Sequence, residues 1–425
     1  MRATLGEVLE FLGGLGTTAE MEADAARGSA PAGTPKNNTH VHLPPNFSAF
    51  DSLSELADGA AREGVAVLGA SNYYFYEVYA PFAALLRARG IFPLFGLEVM
   101  VMIEDLRRRG VKVNDPGNPG KTYLCGKGIT RLAPMTPSAE SLLETIRRND
   151  GERMDRMTAR LAAIFEEQGV RTGLDGAAVR QRVARRHGCE VETVVLQERH
   201  LAQAFQERLF ETVPEGERGE RLERLLGSAP ADPVKIQNEI RTHLMKSGKP
   251  AFVEENYLSL EQGYRLILEL GGIPCYPVLA DGANPVSPFE ESAERLADAL
   301  RERRIFCVEF IPLRNRPDVL NRYVPALRRA GLAVAAGTEH NTLERPPLEP
   351  TARGGEPLPP EVAEIFWEGA CVAVAHAFLT LRGRCGYVDA QGALRPGYGS
   401  QEERLAAFRK LGAAVIERYR RRCAC

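Results

Sequence analysis

The residues of this 425-residue chain best suited to chemistry begin with Thr39-His40-Val41-His42, at the end of a short predicted strand. Alternate side chains of a strand share a face, so His40 and His42 present two imidazoles together. Two nitrogens fixed in this way are half of a typical divalent-metal site. A pair of surface histidines would look the same, and it is the carboxylates elsewhere that favour the metal. Gly96-Leu97-Glu98 and Gly337-Thr338-Glu339-His340-Asn341 each close an apolar run. An unpaired carboxylate is costly to bury in a stretch as apolar as Ile91 to Met102, so Glu98 reads as a ligand. Arg314 and Arg316, just past the run Ile305 to Ile311, could fork onto a phosphate or carboxylate or lie on the surface.

The elements that must position these residues follow a β/α rhythm. Strands are predicted at Thr39 to Val41, Val65 to Ala70 and Ile91 to Met102, with helices at about 52–62 and 81–89 between them. The rhythm returns with a helix from Ser259, strands at Ile273 to Ala280, Ile305 to Ile311 and Leu332 to Ala336, and a helix opened by Ser287-Pro288. Strands alternating with helices argue for right-handed βαβ units and a parallel sheet. A barrel keeps its chemistry at the C-terminal ends of such strands, where Glu98 and Glu339 fall. From Thr136 to Lys249 only helical periodicity is found. A final helix at about 401–421 carries an apolar stripe of Leu405, Phe408, Val415, Ile416 and Tyr419 for the barrel wall.

In this order, His40 and His42, Leu68-Gly69-Ala70-Ser71-Asn72-Tyr73, Glu98, Gly271-Gly272-Ile273-Pro274-Cys275-Tyr276-Pro277 and the block at 337–341 resemble the polymerase and histidinol phosphatase (PHP) family. The resemblance covers about 36–130 and 255–345. It implies an α/β fold, a distorted TIM-like (β/α)7 barrel with an α-helical insertion. The expected layout is a first part of the barrel over 1–130, with an N-terminal helix and linker to about 36. A helical insertion over 131–255 and a second part with C-terminal helices over 256–425 follow. The insertion is expected to leave from the metal-bearing face and act as a lid. Within it lies Glu198-Arg199-His200, where His200 could reach the mouth or sit on the helix surface.

The departures from the family bear on the chemistry. Tyrosine stands where the family has histidine at Tyr73, Tyr276 and, by the most plausible alignment, Tyr123, and the acidic residue expected soon after the histidine pair falls near Phe47. The family's cluster holds up to three metals. The ligands kept here, His40, His42, Glu98 and Glu339, would all serve one of them. The resemblance therefore implies one divalent ion, Zn²⁺, Mn²⁺ or Fe²⁺, which can activate water and polarise a substrate oxygen. His340 is the candidate acid–base, and Tyr73, Tyr123 and Tyr276 are candidate donors to an oxyanion. Arg314, Tyr123 and Asn72 are the expected binding residues around the group held there. The implied activity is metal-dependent hydrolysis of a small phosphoester or other anionic substrate. The alternatives are an amidohydrolase-like hydrolase and a catalytically silent scaffold that binds a ligand or partner.

Composition bounds the rest. With 54 basic and 56 acidic side chains and a net charge of −2, nothing favours nucleic acid as the main partner. No run approaches the roughly 18 apolar residues of a membrane span, and the start lacks a signal-peptide core. A cytoplasmic protein with no membrane partner and a small-molecule substrate is expected. The eight cysteines form no CxxC pair. No Walker A motif or nucleophile elbow is present.

Overall fold

The computed structural model describes residues 4–28, 33–46, 48–115, 117–341 and 345–424, so the position near Phe47 lies outside the described residues. The chain folds around β1 (Asn37–Val41), β2 (Val67–Ala70), β3 (Phe92–Met102), β4 (Lys121–Lys127), β5 (Leu258–Ser259), β6 (Ile273–Val278), β7 (Cys307–Phe310) and β8 (Ala333–Ala336). Seven strands run in the order β1-β2-β3-β4-β6-β7-β8, and the two-residue β5 pairs with the far end of β3. Past β8, Thr338 N and Glu339 N donate to His40 O at 3.1 and 2.9 Å, and His42 N donates to Glu339 O at 2.9 Å. These bonds bring the two ends of the sheet together into a nearly closed barrel, and they are made by the segments that carry the candidate ligands.

Two glycines let the neighbouring strands press against β1. A Cβ at Gly337 would stand 2.3 Å from His40 Cβ, and one at Gly69 would stand 2.6 Å from Thr39 O. Neither leaves room for a side chain, so β1 is gripped from both sides where His40 projects.

The sheet is not wholly parallel. β4, for which the sequence offered no strand, lies antiparallel between β3 and β6. It was hidden because lysines stand at both of its ends, Lys121 and Lys127, and both are buried. The remaining pairs, β1 with β2, β2 with β3, β6 with β7 and β7 with β8, are parallel as the β/α rhythm predicts.

Local signals set most helix ends. Ser52 Oγ accepts from Glu55 N to start Leu53–Glu63, which stops at left-handed Gly64, and Ser259 and Gln262 form a full capping box for Leu260–Glu269. The helix expected at Ser287-Pro288 is only a single 3-10 turn, Pro288–Glu290. The helix proper, Ala293–Glu302, starts after its own cap, Ser292. Gln401–Ala424 buries the expected stripe and sets Tyr419 edge-on against Phe92 of β3, ring centres 5.0 Å apart. Pro360–Thr380 is long and apolar enough to cross a membrane, but 83% of its most apolar stretch is buried within the protein.

Residues 137–245 are helical and carry a second hydrophobic core that includes Met157, Phe165, Phe205 and Ile236. The segment does not leave from the metal-bearing face. Because β4 is antiparallel, it ends at the opposite end of the barrel. A single helix of 31 residues, Pro137–Glu167, then climbs about 46 Å. Its lower half adds Leu143 to the barrel core, and higher up Arg147 donates to Tyr74 O at 2.6 Å. The second core is thereby carried over the mouth, where Asn46, from the loop after β1, bonds Thr193 O at 3.0 Å and Val195 N at 2.9 Å.

Candidate metal centre

β1 turns His40 and His42 to one face, and β3 brings Glu98 to meet them. Their ligand atoms all lie within 4.8 Å of one another, with all three residues buried. The His40 and His42 Nε2 atoms are 3.4 Å apart, and Glu98 Oε2 is 3.3 and 3.9 Å from them. Two imidazole nitrogens and a carboxylate oxygen converging away from water suit a first-row divalent ion.

Behind His40 stands a residue the sequence reading passed over. Glu309 of β7, fully buried, places Oε1 2.7 Å from His40 Nδ1. A carboxylate on one ring nitrogen fixes the tautomer and turns the other nitrogen toward a ligand. The second Glu309 oxygen accepts from Thr39 Oγ1 at 3.1 Å and from Lys127 Nζ, which also reaches Thr39 O at 3.0 Å. Burial tends to raise the Glu309 pKa, but Lys127 and His40 hold it down to about 2. Glu309 carried the same signal as Glu98, a lone carboxylate in an apolar run. Lys127 had no comparable signal.

Burial pushes His42 down to about 4, so it is neutral, as a metal ligand must be. For His40, burial works in the same direction but the Glu309 charge outweighs it, and its proton is held well above the ordinary range. Glu98, Glu309 and Glu339 put three carboxylates here against two permanent cations, Lys127 and Arg314. One negative charge is left over, which a proton on His40 balances in the metal-free protein and which a divalent ion, displacing that proton, would more than balance. On donor set and burial, the residues fit a metal.

Glu339 does not join the three ligands. Its carboxylate is taken by Arg314, and by Asn341 Nδ2 at 2.6 Å, although its charge is felt by both histidines. The expected four-residue shell is thus three residues plus a carboxylate held at the rim. His40, Cys125 and Glu309 form a second group of possible ligands. Lys127 already occupies that carboxylate, so the group is better suited to bracing His40 than to holding an ion.

The other candidates divide. Tyr73 stacks on His42 with ring centres 5.3 Å apart and bonds Glu98; burial and that carboxylate raise its pKa well above the phenol range. Tyr123 is raised likewise by burial and the Glu98 charge. Arg314 stands at the rim, its side chain 39% exposed. Asn72 is a brace: its Oδ1 accepts from Leu43 N at 2.9 Å and its O from Glu98 N at 3.1 Å.

Tyr276 and His340 are turned away. Cys275 and Pro277 pair with Cys307 and Glu309 on the inward face, so Tyr276 points outward and donates to Glu290 Oε1 at 2.6 Å. His340 follows Glu339, whose side faces in. Its Nε2 meets Pro346 O at 2.8 Å, its Nδ1 meets Thr338 Oγ1 at 2.6 Å, and its ring stacks on Phe50. His200 is buried over the mouth, its Nδ1 accepting from Gln197 N at 3.2 Å, and burial pushes it down to about 4.

The sequence matches no family model and no curated protein. Among solved structures, the chain is similar to a Bifidobacterium adolescentis protein named as a metal-dependent phosphoesterase. That match has 14% identity and a TM-score of 0.52, over 80% of this chain and 98% of that one. It is also similar to an amidohydrolase from Chromobacterium violaceum with bound sulfate and no metal, at 20% identity and a TM-score of 0.49, over 72% of this chain and 87% of that one. At these identities the first match supports the distorted TIM-like barrel fold itself.

Proposed function

We propose that the protein is a metal-dependent hydrolase that cleaves a phosphoester of a small anionic substrate, using one divalent ion held by His40, His42 and Glu98. The observation that carries this reading is the buried convergence of those three ligands with Glu309 bonded behind His40. The fold shared with a protein named as a metal-dependent phosphoesterase supports the same reaction class. A bound ion would supply Lewis-acid polarisation of a phosphoryl oxygen and a lowered pKa for water.

The chain's own groups do the rest. Arg314, at the rim, turns from Glu339 to the incoming phosphoryl group and forks onto two of its oxygens. Glu339, released, accepts the proton of the attacking water on its carboxylate as the new P–O bond forms; the ester P–O bond breaks and its oxygen leaves as the alcohol, taking a proton from water. Tyr73 and Tyr123 keep their protons at any ordinary pH and so act as hydrogen-bond donors to the developing charge rather than as bases. The helices over the mouth exclude bulk water, which strengthens each of these contacts.

The test is a screen of small phosphoesters with added Mn²⁺ or Zn²⁺, run beside Glu98→Gln. Turnover in the wild type that disappears in the variant is expected. No turnover with either ion, or equal turnover in both proteins, contradicts the reading.

A further inference from the structure

Outside the metal centre, one fully buried carboxylate has no cation bonded to it among the described residues. Glu290 ends the 3-10 turn Pro288–Glu290. Its Oε1 accepts from the Tyr276 hydroxyl at 2.6 Å, and its Oε2 accepts from Leu279 N at 3.0 Å and Ala280 N at 2.6 Å. Burial raises its pKa to about 7, and a carboxylate kept from water in this way is costly.

The two backbone donors belong to the loop that leaves β6 at the barrel mouth. Ala280 there has φ 46°, in the left-handed region that favours glycine, so the carboxylate holds a backbone shape that alanine seldom adopts. The same loop is tied to the one after β7. Asn315, fully buried, donates from Nδ2 to Leu279 O at 2.6 Å and to Asp281 Oδ1 at 3.0 Å, and Arg316 N donates to Asp281 Oδ2 at 3.3 Å. Arg353 Nη2 donates to Asp281 O at 2.7 Å and also to Arg314 O, and Arg353 N donates to Asn315 O at 2.9 Å. The backbone from Arg314 to Arg316 is thus fixed to the loop that Glu290 shapes, while the Arg314 guanidinium reaches Glu339 at the rim.

We infer that Glu290, steadied by Tyr276, is a positioning residue: through the loop after β6, Asn315 and Arg353, it sets the place from which Arg314 reaches an anionic substrate. What Arg314 binds rests on the hydrolase reading, but the hold on its backbone does not.

The experiment compares Glu290→Gln with Glu290→Leu in the full-length protein. Gln can still accept from Leu279 N and Ala280 N, whereas Leu leaves both donors unpaired. Hydrogen exchange reads the backbone without any anion. In Glu290→Leu, the amides of Arg314 to Arg316 should lose protection about tenfold or more beyond any loss in β7, and in Glu290→Gln they should keep it. Calorimetric titration with sulfate, with Mn²⁺ added, reads Arg314 itself. Affinity should fall in Arg314→Gln and by about threefold or more in Glu290→Leu, although removing a negative charge would by itself raise it. Glu290→Leu should cost nothing further in an Arg314→Gln background. Arg353→Gln, at an exposed position, should also weaken sulfate binding and tests the far end of the relay if Glu290→Leu folds poorly.

Protection lost equally in β7 and at Arg314 to Arg316, or Arg314-dependent sulfate binding that is unchanged in Glu290→Leu and Arg353→Gln, overturns the inference. Failure of the hydrolase reading looks different: Arg314→Gln binds sulfate as wild type does, while the exchange pattern still follows Glu290.

Discussion

At the scale of single residues, the site depends on a buried chain of charge from Lys127 through Glu309 to His40. Glu309→Gln leaves Lys127 buried without its counter-charge, which costs about 3 to 5 kcal/mol, and weakens metal binding about 10- to 100-fold by freeing the His40 ring. Denaturant unfolding and metal titration read the two effects separately. The double variant Lys127→Met/Glu309→Leu should regain most of the stability and none of the affinity, since an apolar pair replaces the ions but cannot orient a histidine. His40 also sets a pH dependence. Its folded pKa is raised, so the stability it lends the metal-free protein is present below about 6.5 and lost as pH rises through its elevated value. Metal binding must expel that proton, so affinity falls on acidification and titration of the metal releases a proton. Of these residues the histidine pair and Glu98 were legible, because spacing and an apolar neighbourhood mark them. Glu339 was legible as a site residue but not as the partner of Arg314, because an ion pair between residues 25 apart leaves no trace in local sequence.

At the scale of elements, parity decides which side chains reach the site. Tyr276 and His340 each sit one residue from an inward-facing position, and the sequence motif could not fix the register that turns them out. The same tight packing makes β1 vulnerable. Gly337→Ala would drive a methyl group into His40 Cβ. It should lower stability by about 1 to 3 kcal/mol and reduce metal content together, measured by thermal unfolding and metal analysis. The long helix Pro137–Glu167 has its own switch where it passes the mouth. Asp150 accepts from the Tyr74 hydroxyl among Arg153, Glu198 and Glu255, and burial raises its pKa to about 6. A raised carboxyl stabilises only while protonated, so its contribution is present below about pH 4 and lost as pH rises through 6. Protection of the amides at the middle of this helix, taken relative to the intrinsic exchange rate at each pH, should therefore fall between about pH 4 and about pH 6, and Asp150→Asn should flatten that change. The β/α order and the caps at Ser52 and Ser259 were readable because they are local; β4 was not, since its buried lysines depend on Glu255 and Glu309, far away in sequence.

At the scale of the whole molecule, the β/α rhythm and the gap in it were both visible as changes of periodicity. The route of the chain was not. The helices reach the mouth only because an antiparallel β4 delivers the chain to the far end and the long helix returns it, an arrangement set by pairing between distant strands. That return brings Arg199 and Arg241 over a barrel whose own rim supplies Arg314, so the cationic surroundings of the site come from both halves of the fold. All of this chemistry presumes that the buried triad holds an ion. The most direct measurement is the metal content of protein purified without chelator, wild type beside His40→Ala/His42→Ala. About one divalent ion per chain in the wild type and none in the variant is the expected result, while equal content in the two proteins would contradict the account.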